Sequence, residues 1–125
     1  MQVVAVMSAS ENTERYSNLA CKLLKEFGHT VYAISLHGRD IQGAIGRKIL
    51  AEIDQPIDTV TLYMGAPRQL AVIDSIIAKH PTRVIFNPGA ESEDSQRRLQ
   101  LAGIQSQHAC TLVLLKTNQF ESQRH

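Results

Sequence analysis

Four short segments in which almost every residue is apolar or β-branched, at residues 3–7, 31–34, 59–64 and 83–86, punctuate this chain. A strand with one wet face alternates apolar and polar side chains. A near-continuous apolar run of this length instead has both faces covered, which marks a strand of a parallel sheet. Parallel neighbours cannot be joined by tight hairpins, so each needs a crossover, and such crossovers are right-handed and usually helical. The stretches between the runs have the helical pattern required. With a fifth strand expected at residues 104–109, the chain reads as an α/β, doubly wound, mainly parallel five-stranded sheet with helices on both faces.

The connecting segments carry their own signals. Tyr16, Leu19, Ala20, Leu23, Leu24 and Phe27 recur at the spacing of one helical face, and Gly28 follows where a helix C-terminal glycine belongs. Residues 40–56, with Gly43 and Gly46, read as a loop holding one short helix around 47–53. Pro67 suits the first turn of a helix whose buried face is Leu70, Ile73, Ile76 and Ile77, and Lys79-His80-Pro81 ends it. Ser92, Glu93 and Asp94 form the capped, acidic first turn of a helix reaching Gly103. The apolar residues 112–115 fit either a strand end or a short helix starting near Thr111. A single domain over residues 1–120 with a frayed tail at 121–125 is the expectation.

Open doubly wound sheets bind ligands beyond the carboxyl ends of their strands, where the strand order reverses. That rule gathers four separated turns at one edge, at residues 8–17, 36–39, 64–68 and 87–91. In the first, the strand breaks into Ser8, Ala9 and Ser10 and a helix begins by Arg15, Tyr16 and Ser17. A helix N-terminus presents unpaired N–H groups and the positive end of its dipole, so it attracts phosphate. Small residues let a phosphate approach the backbone, the serine hydroxyls can donate, and the Arg15 fork can hold two oxygens. The same residues also fit an ordinary strand-to-helix connection with capping serines and a solvated arginine. The GxGxxG run and the acidic residue after the second strand that mark an NAD site are both missing. His37 and Arg39 stand there instead, suiting a phosphate on the adenosine ribose, as in NADP or coenzyme A; a solvated loop with incidental basic residues is the alternative. The other two turns contribute Met64, Pro67 and Arg68, and Asn87, Pro88 and Gly89.

Composition narrows the classes. The formal net charge of +1 lacks the basic excess of a nucleic-acid binder. No apolar run approaches the roughly 18 residues that span a bilayer, and Met1 leads straight into a strand rather than a signal sequence, so neither nucleic acid nor membrane is an expected partner and the cytoplasm is the expected location. Cys21 and Cys110 have no CxxC spacing and the histidines no HExxH pairing, so no metal site is expected. GxSxG and Walker-type runs are missing too, which leaves a catalytic role without a motif. Cys110, near a helix start, is either a reactive thiol or a buried apolar residue, and the second is favoured. A ligand-free interaction module is a third class, and whether two copies pair as a homodimer stays open.

The order and spacing of several motifs carry a resemblance. Ala9-Ser10, then Arg15-Tyr16-Ser17, Gly28-His29-Thr30-Val31-Tyr32, Pro56-Ile57-Asp58 and the run from Arg83 through Asn87-Pro88-Gly89-Ala90-Glu91 resemble the small stand-alone CoA-binding proteins. These are similar to the nucleotide-binding domain at the front of the succinyl-CoA synthetase alpha subunit. The resemblance runs from Val3 to about Phe120 and extends to the closing segment Ala109-Cys110-Thr111-Leu112-Val113-Leu114-Leu115. It implies a Rossmann-like fold and binding of coenzyme A through its adenosine diphosphate portion and does not by itself imply a reaction, so non-catalytic binding of coenzyme A or an acyl-CoA is the expected function. Ser8 replaces the glycine of that family's phosphate turn, and Ser35-Leu36-His37 replaces its proline-containing segment after the second strand. If the first position needs a positive φ, a serine strains it.

Overall fold

The β-branched and apolar runs do form strands, and they pair with one another in one direction only. In the computed structural model, which describes residues 1–121, six parallel strands make one sheet: β1 (Val3–Met7), β2 (Thr30–Ile34), β3 (Ile45–Arg47), β4 (Thr59–Leu62), β5 (Arg83–Phe86) and β6 (Gln105–His108). Their order across the sheet is β3-β2-β1-β4-β5-β6. From the central β1, the chain first builds outward through β2 and β3, then returns to β1's other side and builds outward through β4, β5 and β6. That reversal is the doubly wound topology. The tail expected to fray lies, from residue 122 onward, outside the described residues.

The helices are α1 (Tyr16–Glu26), α2 (Ala66–Gln69), α3 (Ile73–Lys79), α4 (Glu93–Leu101) and α5 (Thr111–Lys116), with a single 3-10 turn at Leu50–Glu52. The period-two alternation of β1 sorts the core into two layers. Val4 and Val6 face a cluster with Cys21 and Leu24 of α1 and Leu114 and Leu115 of α5. Ala5 and Met7 face the opposite cluster, which includes Ile73 and Ile76 of α3 and Leu99 of α4. The sheet is therefore covered on both sides. Ser92 caps α4 by accepting a 3.1 Å hydrogen bond from the Ser95 N–H, with Glu93 and Asp94 in its first turn.

Several expectations need correction. The sheet has six strands rather than five, because Ile45–Arg47 pairs with the outer edge of β2. The short helix expected around 47–53 shrinks to the 3-10 turn that follows β3. The helix expected after Pro67 is two pieces, and Leu70, assigned to its buried face, is 66% exposed at the break. Tyr16 and Phe27, assigned to the apolar face of α1, are 72% and 44% exposed. Residues 112–115 belong to a helix, settling that alternative.

Candidate functional site

Because β1 is flanked by β2 on one side and β4 on the other, the connections leaving β1 and β4 diverge and open a gap beyond their carboxyl ends. A crevice of about 900 Å³ occupies it. One wall is the turn from β1 into α1. The backbone passes Ser8 at φ 64°, a left-handed conformation, and the Ala9 N–H is tied to the Ile34 carbonyl of β2 at 3.0 Å. Ser10 Oγ accepts from the Asn12 N–H at 3.1 Å, and the Ser10 carbonyl accepts from the Asn18 side chain at 2.9 Å. Arg15 holds the N-cap position of α1, and no side chain caps that helix; the Arg15 N–H donates to the Asn12 carbonyl at 3.0 Å and the Asn18 N–H to the Arg15 carbonyl at 3.1 Å, which leaves the Tyr16 and Ser17 N–H groups of the first turn for an outside acceptor.

The crevice brings together most of the residues marked from sequence. Ser8, Ala9, Ser10, Arg15, Tyr16 and Ser17 line one side, His37 the end of β2, and Met64, Arg68 and Pro88 the side beyond β4. Four others do not line it. Arg39 turns its guanidinium to Glu11 at 3.3 Å. Pro67 sits in the first turn of α2, and Gly89 turns the chain at φ 92° while its N–H donates to Glu91 at 3.0 Å. Those hydrogen bonds, from the backbone N–H of Glu91 itself and then of Gly89, hold the Glu91 carboxyl below the usual value.

Asn87 serves the framework. Its side-chain amide donates to Thr61 Oγ1 at 2.6 Å and to the Leu62 carbonyl at 2.8 Å, while its oxygen accepts from the Thr111 N–H at 2.9 Å. The side chain thereby joins the ends of β4 and β5 to the start of α5, with its amide N–H groups used there and none of its atoms lining the crevice.

Sequence reasoning missed other lining residues: Glu11 and Glu14 in the first turn, Ser35 and Leu36 after β2, Tyr63 and Val72 on the far side, and Lys48. Glu11, Glu14 and Leu36 fall inside the turns marked from sequence without having been singled out there, Ser35 and Tyr63 lie one residue outside those turns, and Val72 lies four residues beyond the third. Lys48 needed β3, whose pairing with β2 brings a distant loop to the rim.

Neither cysteine lines the crevice. Cys21 is buried in α1, and desolvation pushes its thiol up to about 12, so it stays protonated at neutral pH. Cys110 is half-buried at the N-cap of α5. Among the described residues no group of three histidine, cysteine or acidic side chains could hold a metal ion. No helix among them is long and apolar enough to cross a membrane.

Comparison with known proteins agrees with this architecture. A crystal structure of an uncharacterized protein matches with a TM-score of 0.84 and 33% identity over 96% of this chain and 98% of its own. A Thermus thermophilus structure matches at 0.86 with 20% identity, over 95% and 90% of the two chains. A dinucleotide-forming acetyl-coenzyme A synthetase 1 from Ca. Korarchaeum cryptofilum, in complex with phosphate and ADP, matches at 0.71 with 16% identity, over 84% of this chain and 25% of that one. None of the curated proteins matches. The model of the CoA binding domain family matches residues 2–116, and the chain belongs to that family.

Proposed function

We propose that the protein binds coenzyme A or an acyl-CoA through its adenosine diphosphate portion, at the carboxyl edge of the sheet, and that it binds without catalysing a reaction. The observation that carries this reading is the uncapped α1 N-terminus with Arg15 beside it, opening into a crevice of about 900 Å³ in a chain of the CoA binding domain family. In this reading the pyrophosphate lies against the backbone of Ser8, Ala9 and Ser10, with Arg15 bridging its oxygens. Ser17 and Tyr16 flank it, and Arg68 faces it from beyond β4. The position of both cysteines away from the crevice lining supports binding over thiol chemistry.

A thermal-shift panel with CoA, acetyl-CoA, NADP, NAD and ATP tests the reading, since a ligand that binds only the folded state raises the midpoint with its concentration. CoA or acetyl-CoA should stabilise and NAD should not; equal stabilisation by NAD would sink the proposal, and a response to NADP alone would favour the other ribose-phosphate ligand. Arg15→Ala should weaken CoA binding by about 1.5–3 kcal/mol, the worth of a charge-assisted contact.

A further inference from the structure

The second strand of a doubly wound sheet ends beside the ribose of a bound dinucleotide, so a cation there decides whether a ribose phosphate is accepted. Two basic residues stand near that point, and their environments differ. Arg39 is held by Glu11, with N–O distances of 3.3 and 3.4 Å, and does not line the crevice. Lys48 does line it. It follows the last residue of β3, where Arg47 is in register with Ile34 at the end of β2. Successive side chains of a strand leave on opposite sides. Arg47 is accordingly turned onto the Tyr32 ring, 5.9 Å from its centroid, while Lys48 goes to the crevice.

The position of Lys48 is built into the loop. Its backbone N–H donates to the Glu52 carboxylate at 2.9 Å. Its stem runs against Gly38, where a Cβ would stand 2.9 Å from Lys48 Cγ, and the Gly38 N–H is in turn fixed by the Ser35 carbonyl and hydroxyl at 3.2 Å. Among the described residues the Lys48 ammonium forms no ion pair with a carboxylate. We propose that Lys48, with His37 beside it, seats the phosphate on the adenosine ribose, and that Arg39 with Glu11 ties the two walls of the mouth instead. This rests on the coenzyme A reading above and adds the residue that makes the site discriminate.

Calorimetry with CoA and dephospho-CoA on the wild type and on Lys48→Met, Lys48→Arg and Arg39→Met tests it. The wild type should prefer CoA by about tenfold or more, as expected for one charge-assisted phosphate contact. Lys48→Met should lose most of that preference with its dephospho-CoA affinity unchanged, Lys48→Arg should restore it, and Arg39→Met should keep it. A Lys48→Met variant with full preference, an Arg39→Met variant without it, or a wild type that binds both ligands equally overturns the role of Lys48 while the coenzyme A reading stands. A wild type that binds neither overturns both.

Discussion

Ser8 carries a side chain where the backbone turns through φ 64°, a region that costs a non-glycine residue about 1–2 kcal/mol. The resemblance to a family with glycine at this position made the strain foreseeable, and the positive φ of Ser8 bears the expectation out. Ser8→Gly should raise stability in urea denaturation by about 0.5–1 kcal/mol, since glycine's greater unfolded-state entropy offsets part of the relief. His29, at the opposite end of the sheet, is 4% exposed and accepts the Gln2 N–H on Nδ1 at 3.0 Å. An acceptor nitrogen must be unprotonated, and burial, the largest cause, lowers its pKa below the ordinary 6.5; the chain's amino terminus and Arg83 add to this against an opposing pull from Glu121. The unfolded chain therefore takes up this proton first as pH falls. Its contribution to stability is complete above the unfolded value and is lost as pH drops from about 6.5 toward the lower folded value. Denaturation midpoints for wild type and His29→Asn should therefore differ most at pH 8 and approach each other as pH falls toward 5, with the wild type the more pH-sensitive.

Among the elements, those that declare themselves locally were legible and those made by a neighbour were not. β1, β2, β4 and β5 are apolar or β-branched along nearly their whole length, and α4 opens with a cap and two acids, so residue type alone marks them. β3 has three residues, one of them glycine, and exists because the outer edge of β2 offers hydrogen-bonding groups. Gly46 within it is there for closeness: a Cβ would lie 2.3 Å from the Gly38 carbonyl oxygen and from the Arg39 carbonyl carbon. Backbone cannot yield as a side-chain tip does, so Gly46→Ala should cost about 1–3 kcal/mol by chemical denaturation. A loss smaller than that of an alanine at an exposed loop position would show that the segment relaxes freely. The candidate site divides the same way. Ser8, Ala9, Ser10 and Arg15 follow from a strand running into a helix, whereas Lys48 enters through a pairing no local pattern announces. The Arg39–Glu11 pair and the hydrogen bonds of Asn87 depend likewise on residues distant in sequence.

At the scale of the whole molecule, a buried polar cluster closes the end of the sheet away from the crevice. Arg83, 3% exposed, donates to the Phe120 carbonyl at 2.9 Å and to Thr59 Oγ1 at 3.0 Å, and its guanidinium lies 4.5 Å from the centre of the Phe120 ring. The described chain thus comes back to its start, where the Met1 amino group meets Glu121 at 2.9 Å. The crevice end is held differently. Strands β1 to β3 and β4 to β6 are two runs of consecutive neighbours, and their single line of union is the register from Val4 with Thr59 to Met7 with Leu62. The crevice lies directly over the end of that line. A molecule touching Ser10 on one side and Arg68 on the other would act as a staple across a seam, resisting the parting of two half-sheets. In hydrogen exchange, CoA should then slow the β4 amides bonded to β1 and leave those of the outer strand β6 little changed, so that occupancy is read out as cohesion between the two halves of the sheet.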